Sequence, residues 1–166
     1  MLSKQAQRAL IGWEAHGPKI ITASLRTKQK KVKLNVIQSY APTNDFDEEH
    51  KDEFYSRLQK IVETFQTRDI VILMGYFNAK IGPDNTGYKQ VMGIHWLGVM
   101  NDNGEIFVEL CALNNLVIGG SIFPHKQIHK NTWVSPDSVT ENQIDHICIS
   151  KKFRRSLTLE LEEEQM

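Results

Sequence analysis

Residues Asp69-Ile70-Val71-Ile72-Leu73-Met74 form a short apolar run bounded by Arg68 and Gly75. A run this short and this continuously apolar reads as a central β-strand covered on both faces, and the rest of the chain must then build a sheet around it. Upstream, residues 32–40 read as a second strand, with Val32, Leu34, Val36 and Gln38 on one face. Ala41-Pro42 closes it, because proline has no N–H to continue the ladder. A helix separates the two strands. Asn44 or Asp45 signals its start, and Asp47, Glu48 and Glu49 place carboxylates where they complement the helix dipole. Phe54, Leu58, Ile61, Val62 and Phe65 recur at helical spacing as one buried stripe, which leaves Lys51, Arg57 and Lys60 to face water.

Beyond the central strand, Gly82 to Gly104 is rich in Gly, Asn, Asp and Pro and is long for a loop in a compact domain, as functional or mobile loops are. Ile106, Phe107, Leu110 and Leu113 give a second amphipathic helix, capped near Asn103 and ended by Asn114-Asn115. Short strands follow at Leu116–Ile118, Thr132–Val134 and Ile144–Ile149. Strands alternating with helices define an α/β layered domain without repeats, linker or second domain.

Twenty basic and twenty acidic residues give a net charge of zero, so the overall basic bias that many nucleic-acid binders use for non-specific attraction is absent. Charge is local instead. Lys28, Lys30, Lys31 and Lys33 form one basic run and Lys151, Lys152, Arg154 and Arg155 another, while 45–53 and 160–164 are acidic. Each is most simply a solvated face. The two cysteines, Cys111 and Cys148, sit in apolar patterns and read as small buried hydrophobes in a reducing compartment. No stretch has the length of a membrane span and the N-terminus lacks a signal-peptide core, which points to an intracellular protein, nuclear or cytoplasmic.

Four segments agree with one another in one register. They are Ile37-Gln38-Ser39-Tyr40-Ala41-Pro42-Thr43-Asn44, then Gly75-Tyr76-Phe77-Asn78 after the central strand, then Thr132-Trp133-Val134-Ser135-Pro136, and last Asn142-Gln143-Ile144-Asp145-His146-Ile147. Together the chain from about Leu2 to Leu157 resembles the endonuclease/exonuclease/phosphatase superfamily. Within it, the chain is most similar to the endonuclease domain of RTE-class non-LTR retrotransposons and the craniofacial development protein 2-like sequences derived from them. The resemblance implies a four-layer α/β sandwich, truncated at both ends, over residues 1–157, followed by an unmatched acidic tail over 158–166. A fragment cut in this way is expected to be poorly stable alone.

The resemblance also implies a chemistry. Relatives hydrolyse a phosphodiester with Mg²⁺, nicking DNA to prime reverse transcription, with a reverse transcriptase as companion in the parent element. The acid that orients the attacking water falls at Tyr76, and a neutral phenol cannot serve as base or metal ligand near neutral pH. Asn78 matches the asparagine whose amide can bond a phosphate oxygen, and Tyr40 matches a phosphate-facing hydroxyl. Asp145 matches a buried carboxylate that orients a catalytic histidine, which itself lies beyond this chain. The metal-binding glutamate of relatives precedes Met1. The catalytic set kept here is therefore Tyr40, Asn78 and Asp145, with Tyr76 at the lost acid position, no metal ligand retained, and DNA as a weak, non-specific partner. No membrane partner is expected.

Taken alone, these residues have plainer readings. Asn78 and Asp145 are common turn or capping residues, Tyr40 is ordinary strand-end packing, and Trp133 is a core or rim aromatic rather than a base-stacking platform. His125 and His129 have the spacing of a metal pair, but Pro124 precedes them and no acid accompanies them, which argues against zinc. His146 follows Asp145 and should point to the opposite face. A non-catalytic binding fragment using Lys126, Lys130, Lys151 and Arg154 is the alternative function. A lipid or inositol-phosphate phosphatase fits the context around Thr132-Trp133 and Gln143-Ile144-Asp145 less well.

Overall fold

A computed structural model describes residues 1–43, 45–96, 98–122, 132–136 and 141–156. A six-residue helix, α1 (Lys4–Ala9), leads into the hairpin β1 (Leu10–Ala15) and β2 (Ile20–Arg26), followed by β3 (Lys33–Tyr40). Helix α2 (Glu48–Glu63) crosses to β4 (Ile70–Tyr76), and α3 (Asp102–Leu113) precedes β5 (Leu116–Ile118). A small hairpin, β6 (Trp133–Val134) with β7 (Glu141–Asn142), stands apart from β8 (Asp145–Ser150), and a 3₁₀ turn follows at Lys151–Ser156. The main sheet has the order β1-β2-β3-β4-β8-β5, parallel only between β3 and β4, where α2 makes the crossover.

Both long helices cover the same face. Phe54, Leu58 and Ile61 of α2 and Phe107, Val108 and Cys111 of α3 bury Ile37, Leu73, Cys148 and Ile118, and Gln59 and Asn114 exchange hydrogen bonds between the helices at 2.6 and 3.2 Å. The opposite face carries a largely apolar row, interrupted by Gln38, with no helix over it among the described residues. Ile21, Gln38, Met74 and Ile147 are register partners across β2, β3, β4 and β8, and Ile21 and Ile147 are 43% and 48% exposed. The α/β architecture is thus present, with the described residues forming one sheet layer and one helix layer of it.

Several expectations need correction here. The central strand is covered on one face, not both: Val71 and Leu73 are buried, whereas Ile70, Ile72 and Met74 are half-exposed. Leu34, Val36 and Gln38 do share a face, but it is the open one. The helix-facing side of β3 carries Ile37 with Asn35 and Ser39, the last two of which polarity alone assigns to solvent. Asn35 is tolerated because Ser24 Oγ donates to its Oδ1 at 2.7 Å and its Nδ2 donates to Asp69 at 3.3 Å.

Helix α2 is capped by Asp47, whose carboxylate accepts from His50 N at 2.9 Å, rather than by Asp45; Asn44 lies outside the described residues. Lys51 is buried, its stem packed and its Nζ 3.2 Å from Glu48, and does not face water. The cap of α3 is Asn101, and Leu113 is exposed at the helix end while Val108 and Cys111 complete the stripe. In the long loop, Val91, Met92 and Trp96 fold back into the core. Strands β1 and β2 have no counterpart in the sequence reading. The expected features at His125, His129, Lys126, Lys130 and 158–166 lie outside the described residues.

Candidate functional site

The sheet edge where β3 and β4 end and β8 begins brings three of the four expected positions into one row. Tyr40 pairs with Tyr76 and Tyr76 with Asp145. The two phenol rings stack, centroids 4.8 Å apart and 15° from parallel, and Lys19 Nζ lies 5.8 Å from the Tyr40 centroid. Tyr40 is 54% exposed, so it is an open edge residue rather than packed core.

Gly75 is what lets the two strand ends come this close. Its φ is +142°, and a Cβ there would stand 1.9 Å from the carbonyl oxygen of Ser39. Beyond Tyr76 the chain turns: Phe77 is fully buried and its N–H donates to Ile144 O at 3.0 Å. Asn78 then adopts a left-handed conformation, φ +49°, as its short polar side chain permits. Its carbonyl accepts from Asn101 Nδ2 at 3.1 Å, and Asn101 Oδ1 accepts from Lys80 N and Gly104 N at 2.9 and 2.8 Å. One side chain thereby caps α3 and pins the motif loop. The Asn101-x-x-Gly104 spacing was the available signal for it.

Asp145 is exposed on the open face, contrary to the buried carboxylate implied by the resemblance. Its backbone is fixed instead: Thr132 Oγ1 accepts from Ile144 N at 2.9 Å and Asp145 N at 3.2 Å. Trp133, next to that threonine, is 41% exposed and sits on the rim. Burial, then Tyr40 and then Asp145 push the Tyr76 phenol above its ordinary pKa, so a neutral hydroxyl occupies this position at physiological pH.

Mg²⁺ takes near-octahedral oxygen ligands, with carboxylates as its protein anchors. This edge offers Asp145 and two neutral phenols, and no three His, Cys, Asp or Glu side chains gather into a metal site among the described residues. The donor set present does not fit the ion.

His146 behaves as its place in the strand dictates, pointing away from Asp145 into the helix-covered core. It stacks on Phe107 at 5.0 Å and meets Trp96 edge-on at 5.1 Å. Its Nε2 donates to Ala79 O at 2.7 Å, which fixes the neutral tautomer and leaves Nδ1 buried without a hydrogen-bond partner among the described residues. Burial lowers its pKa from 6.5 to about 4, partly offset by the bond to Ala79. The unfolded chain therefore holds more protons between those values. Stability is full above pH 6.5 and is lost as pH falls toward 4, by about 3 kcal/mol. Urea melts at pH 7 and pH 4.5 should show the loss, and His146→Phe should flatten that part of the profile.

No protein-family profile matches the chain. It is similar to craniofacial development protein 2 of Tragulus javanicus and of Bos taurus, 32% identical over 157 residues in each case. These cover 95% of this chain but 27% and 26% of the relatives, so the chain spans about a quarter of their length. Among solved structures, an endonuclease/exonuclease/phosphatase family protein from Bacteroides thetaiotaomicron aligns with 79% of this chain and 40% of its own, at TM-score 0.50 and 17% identity. TDP2 of D. rerio, solved with a single-strand DNA product, aligns with 85% of this chain and 52% of its own, at TM-score 0.52 and 12% identity. The class defined is one of fold: a mixed α/β domain of the endonuclease/exonuclease/phosphatase type. No helix among the described residues is long and apolar enough to cross a membrane.

Proposed function

We propose that this chain is an endonuclease-like domain derived from an RTE-class non-LTR retrotransposon, with hydrolysis lost at Tyr76. The observation that supports the reading is the Tyr40–Tyr76 stack opposite Asp145, a neutral ring at the position that the resemblance gives to a water-activating carboxylate. In intact relatives the chemistry is Mg²⁺-dependent nicking of DNA for target-primed reverse transcription. Here Tyr40 and Asn78 are left to contact a phosphate, and Asp145 has no metal-binding cluster of acids around it among the described residues. The DNA-bound TDP2 neighbour supports nucleic acid as the ligand class. A nuclear or cytoplasmic location accords with that ligand.

Supercoiled or abasic-site DNA incubated with this chain and Mg²⁺ is expected to be cut no faster than background. Groups that act as a unit do not contribute additively, so the residues that are kept should not sustain turnover. Metal-dependent nicking that disappears in Asn78→Ala would refute the reading.

A second reading, a non-catalytic nucleic-acid-binding module, is favoured by one feature. Lys151, Lys152, Arg154 and Arg155 line an open cleft of about 570 Å³ with Asn115, and none of them meets a carboxylate within 4.0 Å among the described residues. Under the degenerate-endonuclease reading, any DNA binding there should be weak, sequence-independent and lost as salt rises. Sequence-selective binding that persists at high salt would favour the module.

A further inference from the structure

Between the β1–β2 turn and the first half of α2 lies a groove of about 270 Å³. Ile20 and Phe54 form its buried floor, and Phe46 stands at its wall, 46% exposed. Lys19 Nζ sits 4.9 Å from the Phe46 ring centroid and has no carboxylate within 4.0 Å among the described residues. The acids nearby are already engaged: Asp47 with His50 at 2.6 Å, Glu53 with Arg57 at 2.9 Å, and Glu14 with His16 at 3.9 Å. Lys19 is therefore the uncompensated charge of the groove.

Arg57 is built into the same wall. Glu53 accepts from its Nη2, and its Nη1 reaches His16 O only at 3.5 Å, which leaves much of the donor fork free. The turn is shaped around this head. Gly17 has φ +77°, and a Cβ there would stand 2.5 Å from Arg57 Nη1. An exposed aromatic ring over an apolar floor suits a flat ring, and a lysine beside a guanidinium fork suits a phosphate. The volume lies just below the ~300–1,000 Å³ typical of drug-sized ligands, so one ring with one anionic group is the size that fits.

We propose that this groove binds a mononucleotide unit, its base against Phe46 and its phosphate between Lys19 and Arg57. The assignment does not rest on the nuclease-derived reading, and neither stands or falls with the other.

The test is a titration of the whole chain with dAMP, deoxyadenosine or inorganic phosphate, followed by NMR at the ring signals of His16 and His50. dAMP should bind saturably, with Kd at least about tenfold below that of the nucleoside or the free anion. Lys19→Ala should weaken dAMP about tenfold and leave deoxyadenosine within about twofold, as removal of a charge-assisted contact requires. Phe46→Ala should weaken both. Unchanged His146 signals would show that each variant is folded, since both substitutions are in the groove wall and neither side chain is in the core. No saturable shift up to about 10 mM dAMP would overturn the proposal, because affinities weaker than that hold less than about 3 kcal/mol. Phosphate binding as tightly as dAMP, or dAMP affinity indifferent to Lys19→Ala, would overturn it as well.

Discussion

Gly75→Ala is expected to destabilise the protein by roughly 4 kcal/mol, whereas Gly12→Ala should cost less than about 1 kcal/mol. At Gly75 the added Cβ would meet Ser39 O at 1.9 Å and Ser39 C at 2.9 Å, both backbone atoms that cannot swing aside. Ser39 is itself 1% exposed and paired with Gly75 in the parallel ladder, so the strand has nowhere to move. An L residue at φ +142° adds strain of about 1–3 kcal/mol and forced overpacking about as much again. Their sum, roughly 4 kcal/mol, is most of the stability of a marginal domain. At Gly12 a Cβ meets nothing within 4 Å. Urea denaturation of both variants beside the parent checks the contrast, and a Gly75→Ala protein with an unshifted midpoint would contradict it.

That glycine also bears on what could be read from the sequence. The motif Gly75-Tyr76-Phe77-Asn78 at the end of an apolar strand was legible, because a short apolar run between Arg68 and Gly75 has few other solutions. The stripe Phe54-Leu58-Ile61-Val62 was legible for the same kind of reason, since helical spacing and burial agree there. The sidedness of the sheet was not. One face is apolar yet uncovered, with Ile21 and Ile147 near half-exposed, while the helix-covered face holds Asn35, Ser39 and His146. Hydrophobic alternation assumes that apolar means inside, and here polar side chains lie inside instead, with Asn35 and His146 held by hydrogen bonds. The hairpin β1–β2 was missed although Gly12, Glu14, Thr22 and Ser24 alternate with Ile11, Trp13, Ile21 and Ala23; β2 is held in the sheet by its antiparallel pairing with β3.

At the candidate site, the sequence placed Tyr40, Tyr76 and Asp145 on strand ends but could not show that they occupy one row. Register is a property of pairing, and single strands do not reveal it. Nor could it show that Asp145 is exposed, since the resemblance implied a buried carboxylate there. The stacked phenols are the outcome of that register. They put phenol rings at the edge where the proposed reading places the base of an active relative.

The largest expected effect on activity follows from this substitution. A carboxylate at position 76 can orient water only toward a phosphate already held and neutralised, so Tyr76→Asp in this chain alone should give no nicking. Under the proposed reading, joined to flanking strands of an active endonuclease of this fold that would supply a metal ligand and a histidine, the same acid should become decisive. General-base assistance contributes about 10²–10⁴-fold, and the Tyr76 phenol cannot supply it by a rise in pH, because its pKa is pushed up by burial and by its neighbours.

The most direct measurement is therefore a supercoiled-plasmid nicking rate, with Mg²⁺, for two such chimeras that differ only at position 76. The chimera with Asp should nick DNA at least about a hundredfold faster than the one with Tyr. Equal rates would show that position 76 is not the lost catalytic acid, and the account of this chain as a degenerate endonuclease would fail with it.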